Sequence, residues 1–159
     1  MIKYTEAEVL FREIPDEITL CINISNCPCK CPGCHSQHLW EDIGEPLDLT
    51  ALQKLISPTK TLISCIALMG GDASPEDINF TALEIKQNFP NLKIAWYSGR
   101  SKLSDKIDPN RFDYIKLGPY VEGLGGLDNP NTNQRLYQIY NGKLVDITHK
   151  FWKSTVIKK

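Results

Sequence analysis

The sequence predicts one α/β domain over residues 1–159, built as a short, incomplete and open parallel β/α barrel. Three observations predict it. Apolar runs of strand period alternate with stretches of helical period, an order that makes parallel sheets with right-handed crossovers. The chemically active residue types follow strand ends, the edge where α/β sheets and barrels bind ligands. About five or six strands are too few for a closed eightfold barrel.

Ile18–Ser25 alternates strictly, with Ile18, Leu20, Ile22 and Ile24 on one face and Thr19, Cys21, Asn23 and Ser25 on the other. Period two means a strand, and the small polar face suits a cavity wall. A helix follows, with Asp48 as N-cap and a stripe of Leu49, Leu52, Leu55 and Ile56. Leu62–Met69 is nearly continuous in apolar residues, as in a strand covered on both faces. It ends in Gly70-Gly71-Asp72. Ser74, Pro75 and Asp77 supply an N-cap, a first-turn proline and a carboxylate for the next helix, whose buried side is Ile78, Ala82, Ile85 and Phe89. Lys93–Tyr97 reads as a third strand ending in Ser98-Gly99, and Phe112–Leu117 as a fourth ending in Gly118-Pro119. Short segments near Leu136–Ile139 and Leu144–Ile147 add strands. Val121–Gln134 is a long Gly/Asn-rich loop of the kind that often carries function.

Composition narrows the class. A formal net charge of −1 gives no basic excess for nucleic acid; the one basic cluster, Lys150, Lys153, Lys158 and Lys159, reads as a solvated tail. No run approaches the roughly 18 apolar residues of a membrane span. Glu6 and Glu8 stand where a secretory signal is apolar, so the expected compartment is the cytoplasm. Six cysteines there point to thiols, metal or redox chemistry.

Four of the six lie in "SNCPCKCPGCHS", Ser25–Ser36, directly after the first strand. Cys27, Cys31 and Cys34 stand in C-x3-C-x2-C spacing. Three thiolates are one short of the four that ordinarily close a four-iron cubane, and an open coordination position marks catalytic metal sites. The competing use is a structural zinc site that also takes Cys29, although Cys-x-Cys-x-Cys-x2-Cys lacks the separated paired halves of zinc knuckles.

The triplet after the first strand, with Gly70-Gly71-Asp72 after the second, resembles the radical S-adenosylmethionine (SAM) superfamily. "CPGCHS", "AWYSGR" (Ala95–Arg100) and "KLGPYVEGL…NTNQRL" further resemble the anaerobic ribonucleoside-triphosphate reductase activating proteins, with Gly118-Pro119, Val121 and Asn133-Gln134 in place. The likeness runs from about Thr19 to Leu136. It departs at "FREIPDEI" (Phe11–Ile18), where a Gly-Pro-Gly segment is usual, at Ala73-Ser74-Pro75, and at the shortened "NPNTNQ".

The resemblance implies a barrel of the radical SAM type and a glycyl-radical-enzyme activase. It implies a [4Fe–4S] cluster on Cys27, Cys31 and Cys34, whose open iron binds SAM and whose electron cleaves it to a 5′-deoxyadenosyl radical. It also implies that Gly70, Gly71 and Asp72 bind the methionyl amino group, with Tyr97 and Ser98 along the adenosine and His35 packed on cluster or cofactor. The implied partners are the anaerobic reductase as protein substrate and a low-potential donor such as flavodoxin or ferredoxin, without nucleic acid or membrane. Alternatives are another glycyl-radical enzyme or a small molecule as substrate, or a non-catalytic zinc or iron–sulfur module. Cys29 reads as a spare thiol, Cys21 and Cys65 as small core residues, and Trp40 and Trp96 as packing residues.

Overall fold

The computed structural model describes residues 1–34 and 36–152. His35 and the tail lysines Lys153, Lys158 and Lys159 lie outside the described residues.

The strands are β1 (Lys3–Leu10), β2 (Thr19–Ile24), β3 (Glu45–Pro46), β4 (Cys65–Met69), β5 (Lys93–Tyr97), β6 (Tyr114–Leu117), β7 (Arg135–Tyr140) and β8 (Lys143–Asp146). They form one eight-stranded sheet in the order β3-β1-β2-β4-β5-β6-β7-β8. Parallel pairing joins β2, β4, β5 and β6. β1 joins β2 antiparallel on one side, and β7 and β8 extend the other side antiparallel.

This corrects the expected barrel. The sheet is mixed and open, with two α-helices among the described residues, and is not the barrel of the radical SAM type. The reason lies in the connections. After β6 the chain makes no helical crossover; it returns through the 118–134 loop to pair antiparallel. Asn141 and Gly142, at φ 50° and 77°, then turn β7 straight back into β8, as a two-residue hairpin turn with both φ positive does.

Both helices start where their residues dictate. In α1 (Leu49–Ile56) Asp48 accepts from the Ala51 amide at 2.8 Å, with Leu52 and Ile56 fully buried. In α2 (Pro75–Asn88) Pro75 occupies the first turn, and Ser74 Oγ donates to Asp77 Oδ2 at 2.8 Å instead of capping a backbone amide. The helices cover one sheet face, where Ile22, Ile66, Leu68 and Trp96 pack on Ile78 and Ile85. Each such side chain contributes about 1.5–3 kcal/mol by leaving water. The opposite face carries smaller groups, Cys21, Cys65, Ala67 and Ala95, beside Tyr114 and Leu136. Alternation along each strand sorts the two sets. Among the described residues no helix is long and apolar enough to cross a membrane.

Candidate metal centre

β2 delivers the chain into the cysteine loop at the C-terminal edge of the parallel strands. Backbone bonds anchor the loop's start: the Asn26 amide donates to Glu41 O at 2.9 Å and the Cys27 amide to Leu39 O at 2.8 Å. Asn26, Lys30 and Gly33 have positive φ of 61°, 45° and 78°, so the chain turns repeatedly. The Cys34 amide closes a tight turn onto Cys31 O at 3.1 Å, and the Ser36 amide points at Cys34 Sγ at 3.4 Å. Cys27, Cys29, Cys31 and Cys34 are all free thiols and half-buried.

The neighbouring parallel strand, β4, brings Gly70-Gly71-Asp72 to the same edge. Both glycines have positive φ, 113° and 93°. A Cβ on Gly71 would lie 2.4 Å from Ile78 Cδ1, and one on Gly70 would lie 3.0 Å from Ile24 O. The glycines therefore serve close packing of α2 and β2 at this turn. Asp72 is 7% exposed and held on three sides. Ser98 Oγ donates to Asp72 Oδ1 at 2.6 Å and the Gly99 amide to Oδ2 at 2.8 Å, while Cys29 Sγ lies 3.6 Å from Oδ2. Burial first, then the Asp72 charge, pushes the Cys29 thiol up to about 12.

Ser98 thus reaches the site by orienting Asp72. Tyr97 is committed elsewhere: its hydroxyl donates to Glu13 O, and its ring lies 5.6 Å from Lys116 Nζ. Trp96 is buried, and its indole N–H donates to Gly70 O at 2.7 Å, bracing the same turn. Beside Asp72 opens a cleft of about 590 Å³ whose lining includes Pro75, Ser98, Arg100 and Lys102. Gln134 is buried, and Asn133 Nδ2 donates to Pro119 O at 3.1 Å, so this pair packs on the Gly118-Pro119 turn. A Cβ on Gly33 would sit 2.8 Å from Glu122 Oε2, which places the long loop against the cysteine loop. His38 stands 3.7 Å from Glu6 at the surface.

Sequence reasoning missed Lys116. It is 8% exposed and donates to Ser98 O at 3.0 Å and Gly118 O at 2.9 Å. Burial lowers its pKa, opposed by the negative charges of Asp72, Cys31, Cys29 and Cys27. The signal was present: a lysine inside the apolar strand Tyr114–Leu117 has to be buried against something.

Among the described residues, no three His, Cys, Asp or Glu side chains already surround one ion. The donor chemistry nevertheless fits an iron–sulfur cluster: four half-buried thiols on one turn-rich loop, joined through Asp72 and Ser98 to the buried Lys116. A preformed site is uncommon where metal binding itself orders the ligands. A family model described as a 4Fe-4S single cluster domain matches residues 18–115, and the chain belongs to that family. It is an iron–sulfur protein. No curated protein and no solved structure matches it.

Proposed function

We propose that the chain is a radical SAM activating enzyme, an oxidoreductase that places a glycyl radical on an anaerobic ribonucleoside-triphosphate reductase. The observation that carries this reading is the meeting of two loops. The cysteine triplet follows β2, Gly70-Gly71-Asp72 follows its parallel neighbour β4, and Cys29 Sγ lies 3.6 Å from Asp72. When bound, a [4Fe–4S] cluster held by three thiolates supplies, through its one iron without a cysteine, the electron that reductively cleaves SAM.

The chain's residues do the rest. Cys27, Cys31 and Cys34 hold the cluster. Cys29 stays out, its thiol engaged by Asp72. Asp72 accepts the methionyl ammonium: a carboxylate offers about four acceptor positions, and three neighbours leave one. Ser98 and Gly99 hold that carboxylate in place. A glycine Cα–H on the partner is weak because flanking amides delocalise the radical, so hydrogen transfer to a primary carbon runs downhill. The donor is a low-potential ferredoxin or flavodoxin, and the setting is the cytoplasm.

The test mixes the reduced protein, SAM and the co-occurring anaerobic reductase and records electron paramagnetic resonance. A glycyl doublet on the reductase is the expected result. A doublet on a different glycyl-radical enzyme instead would change the target, and a cluster-loaded protein forming no 5′-deoxyadenosine would be an electron carrier.

A further inference from the structure

Two lysines of the parallel strands meet their partners differently, Lys93 from an exposed position and Lys116 from a buried one. Lys93 meets the Glu17 carboxylate at 2.8 Å. Lys116 is far more deeply buried, yet no carboxylate lies within 4.0 Å of it among the described residues. Its hydrogen bonds go to the neutral carbonyls of Ser98 and Gly118, and its third proton has no such partner among the described residues. The Tyr97 ring, 5.6 Å away, adds a π face but no charge. Its hydrogen bonds lead to the cysteine loop: the ammonium donates to Ser98 O, Ser98 Oγ donates to the buried Asp72, and Asp72 Oδ2 lies 3.6 Å from Cys29 Sγ. A buried cation lacking a counter-ion is costly unless an anion occupies the space it faces.

We infer that Lys116 is the counter-charge of the cysteine centre, a positioning residue whose ammonium favours the reduced cluster. With three thiolates, an oxidised four-iron cubane carries one net negative charge, and the electron taken from an external reductant adds a second. A fixed positive charge nearby stabilises the more negative state and raises the reduction potential, which net charge and surroundings tune. The placement follows from the register. Lys116 pairs with Tyr97 across β5 and β6, and its ammonium donates to the carbonyl of Ser98, whose hydroxyl holds Asp72. The inference rests on the iron–sulfur cluster and is independent of the SAM reading.

The experiment titrates the reduction potential of anaerobically reconstituted wild type, Lys116→Gln and Lys116→Arg, without SAM or partner, by the paramagnetic signal of the reduced cluster. Lys116→Gln, which keeps a donor but loses the charge, is expected to shift the potential negative, and Lys116→Arg to stay near wild type. Loss of cluster in the Gln protein alone, with iron retained in the Arg protein, also supports the inference, because charge is then needed to hold the thiolates. An unchanged potential in Lys116→Gln overturns it. So does an equal shift, or equal loss of iron or of fold by circular dichroism, in both variants, since shape is then what matters. SAM added afterwards to the reduced wild type tests the activase reading separately: a shifted potential in Lys116→Gln with no 5′-deoxyadenosine from the wild type would sink that reading and leave this inference standing.

Discussion

The two ends of the four parallel strands both bury charge, and they treat it in opposite ways. At the N-terminal end Glu17, 5% exposed, is fully answered: Lys93 at 2.8 Å, Tyr114 hydroxyl at 2.6 Å and Ser64 hydroxyl at 2.7 Å all donate to its carboxylate. Burial alone would raise the Glu17 carboxyl, but these bonds and the Lys93 charge outweigh it and hold it below the usual range. At the C-terminal end Asp72 and Lys116 are as deeply buried but make no ion pair with each other. Their partners are hydroxyl, amide, thiol and carbonyl groups. A closed network stabilises the fold, whereas unspent charge around a thiol loop marks a place for a ligand.

Substitutions at the two ends should therefore fail differently. The largest effect falls at the thiols: serine at Cys27, Cys31 or Cys34 is expected to abolish the reconstituted cluster, read as iron and sulfide content, with little change in apo-protein stability. Asp72→Asn should keep the cluster and slow SAM cleavage roughly 10- to 100-fold, the loss of one charge-assisted hydrogen bond. A cluster lost together with the carboxylate would blur the contrast. Gly71→Ala tests packing at the same edge. Its Cβ would strike Ile78 at a positive φ of 93°, so denaturant titration should give a loss of about 3 kcal/mol.

At the closed end, Glu17→Gln is expected to lose about 2 kcal/mol at neutral pH and leave the cluster intact. The pH dependence follows from the depressed carboxyl of Glu17. Its stabilisation is complete at neutral pH and disappears as pH falls through the folded-state value. Lys93 is raised, chiefly by its bond to Glu17, so it stays charged throughout that window. Acid titrations of wild type and Glu17→Gln should converge at low pH; parallel curves would refute the assignment. Smallest is Asp48→Ala, at neither end, costing about 1 kcal/mol by removing the α1 cap.

The four parallel strands and both helix starts were legible because buried strands and caps leave local marks: continuous apolar runs, Asp48, Ser74-Pro75. The barrel expectation failed because period and order do not report strand direction. Asn141-Gly142 carried the missing signal, a hairpin dipeptide between two apolar runs that forces β8 back antiparallel. β1 was hidden by its composition, since Lys3, Glu6 and Glu8 dilute the alternation of a strand at most half-buried. The cysteine loop and Gly70-Gly71-Asp72 were readable as motifs. The reason for the glycines was not, because contact with Ile78 and Ile24 exists only after folding. The Glu17 network joins residues up to 97 positions apart, and nothing local announces it.

The central claim is that three cysteines hold the cluster and the fourth stands aside, leaving one iron open for SAM. It is tested most directly by 5′-deoxyadenosine formation from SAM in the reduced, reconstituted Cys29→Ser protein. A cluster-loaded variant that cleaves SAM at the wild-type rate is the predicted result. A variant that loses its cluster would make Cys29 a fourth ligand, and no iron would then be open.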